Sequence, residues 1–345
     1  MKSLKVFTWI VLINIYLVIV AGSIVRMSGS GMGCPDWPKC FGYLIPPTEQ
    51  SQLEWKDNHA FEKGQIIILD ESLVVAKSNF TTAISVNQNN WESYTKHDYA
   101  VFNVYHTWIE YINRLFGALL GFFALLMIYF AAKKWKVNKW FLWLSLIQLF
   151  FILFQAWLGK LTVDTNLNPY MITYHMLGVT VMIVIQLLLL KLISRENTQA
   201  KSEGNKLHDT IKKVAFTGIV LMIIQIILGT QVRQQTDLMI DAGIVRELIP
   251  QGFDYVFYIH RSFSFLLVFA IGYLYLKLKK NSIFVKPLNY LVVFTVLEII
   301  AGIVLFYFGM QAFAQPIHII LAILIYGFFV ELFLRTLSKL QSSVD

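Results

Sequence analysis

Residues 105–117 read YHTWIEYINRLFG, and residues 257–266 read FYIHRSFSFL. Both contain a Tyr-Ile-X-Arg core, running from Tyr111 to Arg114 in the first and from Tyr258 to Arg261 in the second. X is Asn113 in one and His260 in the other, and Glu110 stands three residues before Asn113. Each core enters a long apolar run. One membrane-entering unit therefore occurs twice, with a single polar residue exchanged.

The chain of 345 residues is 57% hydrophobic and 14% charged, whereas an ordinary soluble domain has about 25% charged residues. The charges are bunched between long apolar runs, which is the pattern of a polytopic membrane protein. Eight runs reach the roughly 20 residues needed to cross a bilayer. They lie near 7–26, 106–132, 140–160, 170–192, 213–233, 254–276, 287–309 and 315–335. The first has no small-residue cleavage site after a short apolar core and continues into GSIVR, so it reads as a retained helix. The expected fold class is all-α: eight transmembrane helices forming two pseudo-symmetric four-helix bundles, with a long outer loop after the first.

Basic residues orient the spans. Lys2 and Lys5, the run from Lys133 to Lys139, the stretch from Arg195 to Lys213, the run from Lys277 to Lys286, and Arg335 with Lys339 all fall on one side of an eight-span chain. That side is expected to be cytoplasmic, with both termini on it, in a bacterial inner membrane. The net charge of +8 follows from this topology. No basic-aromatic interleaving points to nucleic acid.

The opposite side carries residues 27–105, and both cysteines lie there, in CPDWPKC at 34–40. Cys34 and Cys40 face each other across a short proline-constrained loop in an oxidising compartment, which favours a disulfide. Its role is either that of a loop staple or that of a redox pair open to thiol-disulfide exchange. Two cysteines alone supply too few ligands for zinc. Apolar runs at 66–69 and 73–76 read as a hairpin within the loop.

The repeat extends over four spans. GSIVR at 22–26 matches GTQVR at 229–233, and YINR matches YIHR. Gln155 and Gly159 match Glu298 and Gly302, and His175 matches His318. The order implies two parallel four-helix bundles. The expected division is 1–193 for the first half with its outer loop, 194–212 for a polar cytoplasmic linker, and 213–345 for the second half.

Of seven histidines, His106, His175, His260 and His318 sit at the outer ends of the second, fourth, sixth and eighth spans. Ionisable residues within spans are functional candidates by default. Two histidines from facing helices suit axial ligation of haem iron, so His260 with His318 reads as a bis-histidine haem site. Arg114 and Arg261 directly follow the ligand positions and are candidates to pair with propionates; the plainer role is snorkelling to headgroups.

In the first half the equivalent pair is Asn113 with His175, and asparagine is not a usual haem ligand. His106 shares a helical face with Asn113 but lies about 10 Å further outward at 1.5 Å per residue. Either the haem sits higher there, or His175 holds iron alone with an open face. Glu110 is the candidate chemical group in this asymmetric copy. Its plainer role is an i,i+4 partner for Arg114.

These motifs, with the glycine-rich turn SGSG at 28–31, NPYMITYH at 168–175 and QPIH at 315–318, resemble those of the haem A synthase family. The resemblance covers nearly all of the chain outside about 45–100. It implies oxidation of the C8 methyl of haem O to a formyl group, for cytochrome oxidase assembly. It implies haem b in the C-terminal half on His260 and His318, with haem O as substrate in the N-terminal half on His175. It further implies Glu110 as the essential carboxylate and Cys34–Cys40 as a loop disulfide. The family pattern has a fourth ligand histidine where this chain has Asn113, which makes His106 the substitute candidate. Implied partners are molecular oxygen or water, an electron donor, haem O synthase and cytochrome oxidase assembly factors. The rival reading is a transmembrane b-type cytochrome carrying electrons without a substrate haem. It predicts two equivalent bis-histidine sites, and the Asn113 exchange speaks against it.

Overall fold

The computed structural model describes residues 1–95, 101–165, 170–194, 205–280 and 286–337. His97, Asn168, Arg195, Lys339 and most of the linker 194–212 lie outside the described residues. Among the described residues, eight helices are long and apolar enough to cross a membrane. They are α1 (Lys2–Met27), α2 (Val104–Ala132), α3 (Trp140–Asp164), α4 (Tyr170–Ile193), α5 (Asn205–Asp241), α6 (Tyr255–Lys280), α7 (Lys286–Tyr307) and α8 (Ala314–Thr336). The chain is a multi-pass, all-α membrane protein.

The helix starts follow local chemistry. Asn103 caps α2, its side chain accepting from the backbone N–H groups of Tyr105 and His106 at 3.0 and 3.2 Å, which satisfies donors that have no partner inside the helix. Pro287 and Pro316 fall in the first turns of α7 and α8, where a missing N–H removes no intrahelical bond.

Helix α1 packs on α2, α2 on α3, α3 on α4, and α4 back on α1, closing a ring of four. Helices α5 to α8 close a second ring in the same order. Between the rings, α8 meets α1 and α4, and α4 meets α5. The apolar centre runs through Val11, Ile15, Ile183, Leu189, Ile323 and Phe329, all buried. Small residues permit close approach. A Cβ on Gly327 of α8 would stand 2.7 Å from Tyr16 Oη of α1, and one on Gly218 of α5 would overlap the Phe329 ring of α8.

The outer segment holds five short strands: β1 (Ala60–Phe61), β2 (Ile66–Leu69), β3 (Ser72–Ala76), β4 (Phe80–Thr81) and β5 (Trp91–Ser93). The expected hairpin is β2–β3, with Ile66 opposite Val75 and Ile68 opposite Leu73. Strand β5 extends it on the β3 edge, and β1 pairs with β4. Successive strand residues face opposite ways, and both faces are covered. Ile66 and Leu73 pack with Phe41, Leu53 and the two cysteines, while Ile67 and Ala76 pack with Phe61 and Trp91.

One boundary departs from the hydropathy reading. Helix α5 runs to Asp241, well past Arg233, through the polar stretch QQTD at 234–237. Hydropathy marks where a helix crosses the apolar layer, not where it stops. Beyond that layer α5 is held by Val232 and Met239, which pack with Ile249, Phe253 and Phe257.

Gly218→Val places a branched side chain where Phe329 packs. It is expected to destabilise the α5–α8 contact by about 1–3 kcal/mol, read as a lower unfolding temperature in detergent. Phe329→Leu in the same chain should restore part of the loss; equal damage with and without it would place the fault elsewhere.

Candidate functional site

In the second ring, the His260 ring of α6 and the His318 ring of α8 lie with centroids 6.3 Å apart and planes at 76°. Each stands over a glycine. A Cβ on Gly229 of α5 would reach 3.1 Å from His260 Cε1, and one on Gly302 of α7 would reach 3.6 Å from His318 Cε1. His318 Nδ1 lies 3.2 Å from Glu298 Oε1 of α7. Three buried polar atoms here have no hydrogen-bond partner, His260 Nδ1, His318 Nδ1 and Glu298 Oε2.

This arrangement fits a metal between two imidazoles. A metal–nitrogen bond of about 2 Å on each side is compatible with a centroid spacing of 6.3 Å. With a glycine against each ring, no Cβ presses on either imidazole. Among the described residues, no three His, Cys, Asp or Glu side chains gather as a metal site. Two facing imidazoles are the donor pair that axial ligation of a haem iron uses.

The first ring repeats the plan with different chemistry. Asn113 of α2 takes the place of His260, and its Oδ1 would lie 3.8 Å from a Cβ on Gly22 of α1, the counterpart of Gly229. His175 of α4 takes the place of His318, and its Nδ1 lies 2.6 Å from Gln155 Oε1 of α3, the counterpart of Glu298. An amide thus stands where the second ring has a carboxylate, and another where it has an imidazole. His106 sits in the first turn of α2, with its backbone against Gly33, where a Cβ would come within 2.5 Å of the His106 carbonyl. Among the described residues, no hydrogen bond or ring contact joins His106 to His175.

Glu110 and Arg114 form the expected i,i+4 pair at 2.5 Å, both largely buried. Their further partners lie far away in sequence. Glu110 Oε2 accepts from the Cys34 backbone N–H at 2.9 Å. Arg114 donates to the carbonyls of Asp36 (2.7 Å), Lys39 (2.8 Å) and Cys34 (3.4 Å). Thr107 Oγ1 donates to the Gly33 carbonyl at 2.7 Å. Cys34 and Cys40 are joined as a disulfide, so α2 holds the stapled loop through one carboxylate, one guanidinium and one hydroxyl. Within the loop, Asp36 accepts from the Gly42 N–H at 2.9 Å, and burial raises its carboxyl above the ordinary value. Tyr94 donates to the Pro35 carbonyl at 2.8 Å; burial first, and then the Asp36 charge, push its hydroxyl up to about 12.

Arg261 is exposed, with its guanidinium 5.3 Å from the centre of the Tyr258 ring and 5.9 Å from that of Phe257. The residue after a ligand position is turned about 100° around the helix, given 3.6 residues per turn. Arg114 accordingly meets the loop, and Arg261 lies on the exposed side of α6. Residues that the sequence reading passed over gather instead at the outer ends of α1 and α5. Asp237 bonds Arg26 of α1 and, at 2.6 Å, Arg233 of its own helix. The signal available for them was the GSIVR and GTQVR repeat.

Comparison with known proteins follows this geometry. The family described as cytochrome oxidase assembly protein, COX15-CtaA, matches residues 5–85 and 82–330. A protein of Shewanella oneidensis named heme A synthase is 28% identical over 64% of this chain and 55% of its own length. One from the Wolbachia of Brugia malayi, with the same name, is 27% identical over 72% of the chain and 66% of its own length. A third so named, from Wolbachia pipientis wMel, is 23% identical over 95% of the chain and 91% of its own length. The chain thus spans little more than half the length of the Shewanella relative.

Arg114→Met removes the donor to three loop carbonyls and leaves Glu110 buried without its cation. Breaking a buried pair in this way costs about 3–5 kcal/mol. Loosening of the loop should make Cys34 and Cys40 label faster with a thiol reagent under mild reductant. Unchanged labelling would show that the clamp does not hold the loop.

Proposed function

The chain belongs to the COX15-CtaA family of cytochrome oxidase assembly proteins, and from that premise we propose that it is a haem A synthase, a membrane oxidoreductase converting the C8 methyl of haem O to a formyl group. The observation that carries this reading is the asymmetry of two otherwise matching sites. His260 and His318 face each other in the second ring, while the repeat-equivalent positions of the first hold Asn113 and His175.

Haem b, held by His260 and His318, would supply one-electron transfer. Glu298 presents an acceptor to His318 Nδ1 and fixes the ring orientation. In the first ring Gln155 engages His175 Nδ1, which leaves Nε2 for the iron of the substrate haem O. Asn113 offers an amide where the second ring offers a ligand, so one face of the substrate stays accessible to molecular oxygen or water. Glu110, one turn outward of Asn113, orients water or relays protons. Two successive oxygen insertions take the methyl to an alcohol and then to a gem-diol, which loses water to give the aldehyde. The reaction needs an external electron donor. It also needs haem O synthase upstream and cytochrome oxidase assembly downstream. We place the chain in a bacterial inner membrane with both termini cytoplasmic; the basic residues gathered on one side of the spans support that orientation. The division at residues 193 and 213 separates the substrate half from the haem b half.

The test is the haem inventory of the purified protein expressed with a source of haem O. Haem b together with haem O, its hydroxylated form or haem A is the expected result. Haem b alone would favour the electron-carrying cytochrome. Glu110→Gln should keep haem b and lose the oxidised products; full haem A output from that variant would leave Glu110 only its structural pairing.

Glu298→Gln gives the second ring the amide that Gln155 gives the first. A weaker acceptor on His318 is expected to raise the midpoint potential of the haem bound there, measured by redox titration of the purified protein. An unchanged potential would remove Glu298 from the tuning role.

A further inference from the structure

Arg114 and Arg261 were the sequence candidates for porphyrin carboxylates, and their guanidinium groups are directed elsewhere. Arg114 serves the loop, and Arg261 is exposed over aromatic rings. The question of what meets those carboxylates is open, and two other arginines answer it.

Gly22 faces Asn113 and Gly229 faces His260, so these glycines floor the two sites. One turn further outward on the same helices, α1 carries Arg26 and α5 carries Arg233. The two are repeat equivalents, and they meet. Arg233 Nη2 lies 2.6 Å from Asp237 Oδ1, and Arg26 bonds the other oxygen of that carboxylate. Arg233 also reaches the Arg26 carbonyl at 3.4 Å and bonds Gln315, three residues before His318 on α8. The cluster therefore joins both rings at their outer ends, and through Gln315 it touches α8, the helix that carries His318.

Its charge does not balance. Two guanidinium groups share one carboxylate, with side-chain exposures of 23% for Arg26, 14% for Arg233 and 21% for Asp237. Arg246 adds a third cation within electrostatic reach of Arg233. Arg26 Nη1 is buried and has no hydrogen-bond partner. A secluded cluster with surplus positive charge and an unused guanidinium donor is built for an anion, and an arginine fork matches a carboxylate.

We infer that Arg26, Arg233 and Asp237 form a shared carboxylate seat between the two halves, in which Arg26 receives a propionate of the substrate porphyrin and Arg233 one of the resident porphyrin. The inference rests on the two-haem reading above. Asp237 holds the two guanidinium groups apart from each other and positions them, and it competes with the incoming carboxylates.

The experiment titrates purified full-length protein, with its second half already loaded, with haem O and with haem O dimethyl ester, following the Soret band. Arg26→Gln should weaken haem O binding about tenfold, the scale of one charge-assisted hydrogen bond, and leave the ester unaffected. Asp237→Asn should tighten haem O binding, because it frees both guanidinium groups. Arg233→Gln should speed loss of the resident haem to an apo-globin acceptor. A purely structural tie predicts the opposite pattern. Arg26→Gln would then treat acid and ester alike, Asp237→Asn would leave binding unchanged or weaken it, or Arg233→Gln would retain haem as the wild type does, and any of these results overturns the seat. Wild-type protein that binds no haem at all would instead bring down the reading of the sites themselves.

Discussion

Inside a bilayer a side chain that can hydrogen-bond has no water to turn to, and an unmet polar group there costs several kcal/mol. The polar groups of both rings are organised around that constraint. His175 is answered by Gln155 from the neighbouring helix at 2.6 Å, and His318 faces Glu298 in the same relation at 3.2 Å. The glycines opposite Asn113 and His260 let those side chains lie close against the neighbouring helix. Atoms left without hydrogen-bond partners, His260 Nδ1, His318 Nδ1 and Glu298 Oε2, fall at this same level. Polar residues with one side satisfied and the other open mark where the chain expects something that is not polypeptide.

Duplication allows the two sites to diverge without disturbing the packing. Each ring keeps four helices, a glycine beside the Asn113 or His260 position, and a histidine whose Nδ1 lies within 3.2 Å of a side-chain oxygen on the neighbouring helix. Replacing imidazole by the smaller amide at Asn113, and carboxylate by amide at Gln155, changes ligand number and acceptor strength and leaves the helix contacts alone. Both exchanges act in one direction: with haem bound as proposed, the first ring would be the less fully ligated and the less electron-rich of the two. That is the polarity needed for a substrate site fed by a cofactor site.

Much of this was legible in the sequence, and the gaps have physical causes. Helix positions were legible because crossing a bilayer demands an apolar length that soluble folds rarely show. The β2–β3 hairpin was legible because two apolar runs flank a tight turn. The pair Glu110–Arg114 was legible from i,i+4 spacing. Docking of the 34–40 loop on α2 was not, since contacts between segments over seventy residues apart leave no local pattern. Nor was Asp237, because α5 continues beyond the apolar layer where hydropathy falls silent. Adjacency to a ligand position does not fix direction: neighbours along a helix point about 100° apart, and Arg114 meets the loop while Arg261 is exposed.

The clamp on the disulfide loop and a chemical role for Glu110 are compatible, for a reason of valence. A carboxylate has about four lone-pair sites. Arg114 takes one on Oε1, and the Cys34 N–H takes one on Oε2. Each oxygen keeps capacity for a further donor, and the side chain has lost the freedom to wander. A group fixed before the reaction needs no reorganisation during it, and that is where electrostatic catalysis gains most. The staple between Cys34 and Cys40 then has a function beyond the loop. By holding the Cys34 amide against α2, it fixes one of the two donors that aim the carboxylate, one turn from Asn113, so the outer loop extends the supporting framework of the site beyond the membrane.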